Sequence, residues 1–373
     1  MDMNTKQRFI GVMSGTSMDG VDTALVEIEG NQIQLLAAHD FPMPESLKPR
    51  LLNICIGQPT SLAEIGELDH LLGHLFADAV NALLASANCS AESITAIGNH
   101  GQTVYHRPEG DAPFTMQLGD ANIIAAKTGI DTVADFRRKD MALGGQGAPL
   151  VPAFHQCLFE STNSSVVVLN IGGIANISVL RPNQKVIGYD TGPGNMLMDA
   201  WIQKHRGDKY DNDALFALQG FINQPLLDDL LNEDYFARQA PKSTGRELFN
   251  LPWLEKKLTT HTLSTQDVQR TLCEYTAVTI ANDVSRYTHG EQPELLVCGG
   301  GVRNPLLMQR LIELLPNWRV ASTEDKGVDS DNMEAMAFAW LAQRRMYNLP
   351  SNLPEVTGAS QLASLGVLYY ADK

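Results

Sequence analysis

Apolar and polar positions along this chain follow two alternating rhythms. Short β-type runs at Phe9–Met13, Ala24–Ile28, Ile33–Ala38, Ile94–Asn99, Thr132–Ala134, Val166–Asn170, Ile177–Leu180, Lys185–Tyr189, Glu294–Cys298 and Arg319–Ala321 predict strands. Between them, spacings of three and four predict helices over Leu62–Ser86, Ala121–Gly129, Asn195–His205, Pro225–Asn232, Thr265–Thr288, Pro305–Leu314 and Asn332–Arg345. Alternation of this kind predicts an α/β class with largely buried sheets. Met196, Met198 and Trp201 read as the core face of one helix, and Met333, Met336, Ala337 and Trp340 as that of another. Ala277, Ile280, Ala281 and Val284 suit a packed face, in a core or against a second copy.

Three glycine turns interrupt the pattern. The first lies in Gly11-Val-Met-Ser-Gly-Thr-Ser-Met-Asp-Gly-Val-Asp22, where an apolar run enters a tip of small and polar residues and an alternating run leaves it. This reads as a β-hairpin. Glycines at its tip let backbone N–H groups and hydroxyls approach a phosphate. The tip's carboxylates would repel phosphate unless a divalent cation such as Mg²⁺ intervened. An ordinary hairpin with a polar turn is the alternative. The second turn, in Val166–Ile177, repeats the strand–glycine–strand layout around Gly172-Gly173. The third, Gly299-Gly300-Gly301, follows a buried-type strand and precedes the helix at Pro305, a place where backbone amides and the helix dipole favour anions. Together the three favour a bound nucleotide over three structural turns. No G-x-x-x-x-G-K-[ST] loop, G-x-G-x-x-G fingerprint or G-x-S-x-G elbow is present.

Composition narrows the setting. The 373 residues allow two domains, and 44% hydrophobic with 19% charged residues describes an ordinary globular chain. A net charge of −15 disfavours nucleic acid and anionic membrane surfaces as partners. The polar N-terminus lacks a signal-peptide core, and no stretch is apolar enough to span a membrane. Cys55, Cys89, Cys157, Cys273 and Cys298 are scattered without paired spacing, which fits a reducing cytoplasm. His70 and His74 share a helix face but lack the Glu of H-E-x-x-H and a third ligand, so they read as structural.

The two hairpins and the late glycine turn resemble the actin/hexokinase/Hsp70 superfamily. A closer resemblance follows from Gly11–Asp22, Asn99-His-Gly-Gln-Thr103, Ala134-Asp-Phe-Arg137, Asn170-Ile-Gly-Gly-Ile-Ala-Asn176 and Asp190-Thr-Gly-Pro-Gly-Asn195. These blocks look like the signatures of the anhydro-N-acetylmuramic acid kinases, in order from Phe9 to beyond Trp340. The resemblance implies a two-lobed fold of duplicated ribonuclease-H-like domains with a central ATP cleft. Its first lobe would be residues 1–145 and its second 146–373, with a bend near Gly144–Pro149 and the last helices candidates to return to the first lobe. It implies that ATP and water convert 1,6-anhydro-N-acetylmuramic acid to N-acetylmuramic acid 6-phosphate, in the recycling of cell-wall peptidoglycan, in a cytoplasmic homodimer.

Under that resemblance each residue acquires an expected role. Asp190, read as ending its strand, is the general base toward water; a turn or helix-cap role is its structural alternative. Gly15, Thr16, Ser17, Met18, Asp19, Gly20, Val21 and Asp22 wrap the β- and γ-phosphates, with Asp19 the carboxylate nearest Mg²⁺. Asn170, Gly172 and Gly173 form the opposing phosphate hairpin, and Gly299, Gly300 and Gly301 line the adenosine side. His100, Gln102, Asp120 and Arg137 bind the sugar, Arg137 taking its lactyl carboxylate through parallel hydrogen bonds. Glu334 either reaches the sugar or complements its helix dipole. A same-fold kinase for another sugar and a non-catalytic ATP-binding sensor are the rival functions.

Overall fold

A computed structural model describes residues 5–372 apart from 16, 17, 19, 241 and 247. The chain divides into two compact units, one of Met1–Leu158 with Asn332–Lys373 and one of Phe159–Asp331.

The first unit is built on strands β1 (Gln7–Ser14), β2 (Gly20–Glu29), β3 (Gln32–Pro42), β4 (Ala96–Arg107), β5 (Phe114–Leu118) and β6 (Thr132–Ala134). With the last strand, Val367–Tyr369, the described residues form a seven-stranded sheet. β1, β2 and β3 are an antiparallel meander, β4 runs parallel to β1, and β6 runs parallel to β4. The sheet is covered by the helix Leu62–Ser86, opened by the Ser61 side chain accepting from Glu64 N–H. Its Leu68, Leu72, Phe76, Val80 and Leu83 pack with Ile10, Val12, Leu25 and Ile97 in one buried cluster. The helix Met333–Met346 covers β1 and β4. Gly11 and Gly98 are directly paired on those strands. A Cβ on Gly11 would lie 1.7 Å from Ala335 O, and one on Gly98 2.0 Å from Phe338 O. Two adjacent glycines therefore let helix backbone rest on strand backbone.

The second unit repeats the order. Strands β7 (Val166–Ile171), β8 (Ile174–Leu180) and β9 (Ile187–Pro193) form the antiparallel meander. β10 (Glu294–Cys298) runs parallel to β7 and β11 (Arg319–Ser322) parallel to β10. The fold is thus α/β with the same five-strand arrangement in both units, as the paired hairpins imply. Ala277, Ile280, Ala281 and Val284 are buried in the core of this unit, with Leu197, Met198 and Trp201.

Some elements depart from expectation. β5, the last strand and the helices Lys48–Cys55, Val151–Phe159 and Leu251–Leu258 were not legible as elements. The helix expected to run to Thr288 ends at Val284 and closes in a tighter turn over Ser285–Tyr287. Asp190 does not end its strand: β9 continues to Pro193. β9 is the sheet's edge, where a proline without an N–H breaks no ladder. No described helix is long and apolar enough to cross a membrane.

Candidate active site

The first hairpin's tip is held from β4. Ser14 Oγ donates to Gln102 Oε1 at 2.7 Å, and Gln102 Nε2 donates to Gly15 O and Thr103 O at 3.3 Å each. Gln102 is fully buried. Its amide therefore braces the tip, with oxygen and nitrogen both engaged inside the first unit. Met18 N–H donates to Gly15 O at 3.2 Å, and Met18 takes a left-handed φ of 55° with its side chain buried. Val21 is buried in the core beside it. A Cβ on Gly20 would stand 2.9 Å from Phe41 O, so the turn enters β2 where only glycine fits. Asp22 is half-buried, paired with Met13 on one side and Asp40 on the other. Thr16, Ser17 and Asp19 lie outside the described residues.

Three of the expected sugar residues converge. Arg137 Nε and Nη2 donate to His100 Nε2 at 3.1 and 2.9 Å, and Nη1 donates to Gly147 O at 2.8 Å. The imidazole accepts on Nε2, so its ring proton belongs on Nδ1. Burial, then the Arg137 charge, pushes the His100 pKa well below its ordinary value and keeps the ring neutral. Burial pulls Arg137 down to about 10, opposed by Glu334 and Asp140. Glu334, in the first turn of Met333–Met346, is raised by burial and lowered by Arg137. Phe338 of that helix packs on His100, centroids 4.7 Å apart, and on Phe136 at 5.5 Å.

Arg137 has five N–H groups, three of which are engaged. One remains on each terminal nitrogen, the pair a carboxylate takes in parallel. Asp140, which sequence reasoning passed over, fixes this geometry. Its Oδ2 accepts from Gly147 N–H at 2.9 Å, and its Oδ1 accepts from Asn352 Nδ2 at 2.9 Å and Thr357 Oγ1 at 2.8 Å. Asp120 is placed differently. It caps the helix Ala121–Thr128, its carboxylate accepting from Asn122, and it has no hydrogen bond to His100, Gln102 or Arg137.

In the second unit the other two glycine turns meet. Gly194 and Asn195 N–H groups donate to Gly173 O at 2.9 Å and Gly172 O at 2.8 Å. Asn195 Nδ2 donates to Ile171 O at 3.2 Å. The β7–β8 tip is thereby tied to the start of the helix Met196–Arg206. Gly299 has φ +80°, and a Cβ there would lie 2.3 Å from Asn170 Oδ1; one on Gly301 would lie 2.3 Å from Ile171 Cγ2. Gly300 is exposed between them. Asn170, Gly172, Gly173 and Gly299–Gly301 thus form one continuous backbone surface, to which Asn195 is an unforeseen addition.

Asp190 belongs to the same sheet face. Asn170, Asn176 and Asp190 stand directly opposite one another on β7, β8 and β9. Cross-strand neighbours in register point the same way. Asp190 N–H donates to Lys242 O at 3.2 Å, Tyr235 Oη donates to Asp190 O at 2.6 Å, and Thr244 N–H donates to Asp190 Oδ2 at 3.0 Å. Lys242, Thr244 and Tyr235 carried no local signal, because a lysine after a proline reads as surface charge.

Comparison with known proteins adds to this geometry. Residues 7–371 match the family described as anhydro-N-acetylmuramic acid kinase. A Vibrio parahaemolyticus protein of that name is 69% identical over 98% of this chain and 99% of its own length. Its namesake from Vibrio cholerae is 67% identical over 99% of this chain and its whole length. The one from Pasteurella multocida is 58% identical over 98% of this chain and 97% of its own.

Proposed function

This chain belongs to the anhydro-N-acetylmuramic acid kinase family, and on that premise we propose that it is a kinase using ATP and water to convert 1,6-anhydro-N-acetylmuramic acid to N-acetylmuramic acid 6-phosphate. The match along nearly the whole chain carries the reading. Such a reaction serves peptidoglycan recycling in the cytoplasm.

The chemistry joins two events. Asp190 takes a proton from water as its oxygen attacks C1, and the C1–O6 bond breaks. O6 leaves with the bonding pair and attacks the γ-phosphorus, and the bond to the β-phosphate oxygen breaks to release ADP. O6 serves as leaving group and acceptor, so one carboxylate suffices where glycosidases use two. A single displacement inverts the anomeric centre. The two remaining N–H groups of Arg137 suit the lactyl carboxylate, while the neutral His100 ring and Gly147 O hold the guanidinium in place and the buried Glu334 acts on its charge. Gln102, assigned to the sugar from the resemblance, also sets the hairpin. Asp120 could meet the sugar only with carboxylate capacity beyond its helix cap.

The tip Gly15–Asp22 and the surface of Asn170, Gly172 and Gly173 suit the phosphates of ATP, and Gly299–Gly301 the adenosine. Phosphoryl transfer of this kind rests on positioning and charge neutralisation. Mg²⁺ takes oxygen ligands, and Asp19 is the carboxylate assigned to it from sequence alone, ahead of Asp22, which the strand pairing with Met13 and Asp40 sets at the base of the hairpin. The ion would supply neutralising charge to the phosphates.

The test is a coupled assay of ADP release. ADP should form with Mg-ATP only when the anhydro-sugar is present, and Asp190→Asn should abolish it while nucleotide still binds. Turnover with a sugar bearing a free 6-hydroxyl, and none with the anhydro-sugar, would make it a different sugar kinase. Nucleotide binding with no turnover would make it a sensor.

A further inference from the structure

Beneath the segment that clasps Asp190 lies a buried charge. The backbone of Lys242 and Thr244 bonds Asp190, while the Lys242 side chain turns into the second unit, where it is 3% exposed. Its Nζ lies 3.4 Å from Asp283 Oδ2 on the long helix Thr265–Val284 and makes no hydrogen bond among the described residues. The Tyr235 and Tyr189 rings wall it, centroids 4.9 and 5.4 Å away. Asp283 is equally buried and has a second partner, Arg286 Nη1, at 3.1 Å from Oδ1. Removing an ammonium from water is costly, and a buried ion pair seldom returns that cost in stability. Its place in the segment bonded to Asp190 points to another use.

We propose that Lys242 is a positioning residue: paired with Asp283, it pins residues 242–244 so that Thr244 N–H fixes the Asp190 carboxylate in one orientation. The proposal rests on the reading of Asp190 as the base. The charged and titratable groups facing Lys242 are Asp283, Arg286, Asp190, Tyr189 and Tyr235, with Tyr287 hydrogen-bonded to Tyr189. Burial lowers the lysine pKa, against the pull of Asp283 and, more weakly, Asp190, so the Lys242 and Asp190 charges are coupled.

The experiment compares Lys242→Met, Lys242→Arg and Asp190→Asn in steady-state kinetics and in the pH profile of kcat. Lys242→Met should keep the KM for ATP within about twofold and lower kcat by about ten- to a hundredfold, the scale of a misplaced catalytic group. Its acid limb should move to higher pH, since a carboxylate that loses a neighbouring cation holds its proton more tightly. Lys242→Arg should recover most of kcat. The double variant Lys242→Met/Asp283→Asn removes both buried charges, a replacement that folds commonly tolerate, and should show the same loss. Wild-type kcat and pH profile in either folded variant overturns the proposal. Turnover by Asp190→Asn would instead remove the base reading; an inactive Asp190→Asn beside a normal Lys242→Met removes the role of Lys242 alone.

Discussion

Gly11→Ala should loosen the helix that carries Glu334. The added Cβ would lie 1.7 Å from Ala335 O and 2.8 Å from Ala339 N, the two ends of one helical turn. The obstacle is backbone, so no rotamer change relieves it. Restoring van der Waals contact of about 3.5 Å needs the helix Met333–Met346 to retreat by at least roughly 1.8 Å from β1. That opens a gap beside Ala335, Ala339 and Phe338, all fully or nearly fully buried. Overpacking and the gap it opens cost on the order of 3 kcal/mol together. For a unit of this size that is a fall in melting temperature of about 6–12 °C. Phe338 packs on His100 and Glu334 acts on Arg137, so the KM for the sugar should rise as well. Gly66→Ala is the control. It lies inside the helix Leu62–Ser86 with nothing within 4 Å of an added Cβ, and should stabilise by about 0.5–1 kcal/mol. Thermal unfolding of both variants decides. A Gly11→Ala protein melting within 2 °C of wild type (about 0.5–1 kcal/mol on this scale) would refute the packing argument.

Other perturbations test separate parts of the account. Arg137→Lys cannot reproduce three hydrogen bonds and a free parallel pair, so the KM for the sugar should rise by about ten- to a hundredfold with that for ATP unchanged; steady-state kinetics with each substrate varied would show it. Gly299→Ala combines a φ of +80° with a Cβ 2.3 Å from Asn170 Oδ1, and should raise the KM for ATP at least about tenfold while sparing the sugar. An unchanged KM for ATP would detach this turn from the nucleotide. Burial lowers the His155 pKa to about 3, so this ring is neutral in the fold. Such a group contributes its full stability above the unfolded value of about 6.5 and loses it as pH falls from there toward 3. At pH 5 the loss is about 2 kcal/mol. Urea unfolding at pH 7.5 and 5 should therefore show a smaller pH dependence in His155→Leu than in wild type.

The fold was legible where local pattern and fold agree. Both hairpins and the third glycine turn stand out because glycines interrupt apolar runs, and the helix at Met333 because Met333, Met336, Ala337 and Trp340 recur at helical spacing. The strand through Asp190 was cut short because Thr-Gly-Pro-Gly reads as a turn, and only an edge position lets Pro193 remain in the ladder. β5 escaped because it is only five residues long and its alternation of Phe114, Met116 and Leu118 with Thr115 and Gln117 does not match burial: Phe114 and Met116 are exposed while Thr115 is buried. Among site residues, Arg137, His100 and Glu334 come together as a set, whereas Gln102 turns inward and Asp120 caps a helix. Gln102, like Lys242 and Asp140, owes its position to partners dozens to hundreds of residues away: Ser14 and Gly15 for Gln102, Asp190 and Asp283 for Lys242, Asn352 and Thr357 for Asp140. No short sequence window contains both members of such a pair.

The central claim is that water opens the ring while O6 takes the phosphoryl group. The direct measurement is the reaction of purified protein with Mg-ATP and 1,6-anhydro-N-acetylmuramic acid in ¹⁸O-water, quenched early and analysed by mass spectrometry. Unlabelled product held in the same water corrects for exchange. The account predicts N-acetylmuramic acid 6-phosphate carrying one ¹⁸O at the anomeric carbon and none in the phosphate. Label in the phosphate, or a phosphorylated sugar without label at C1, would contradict it.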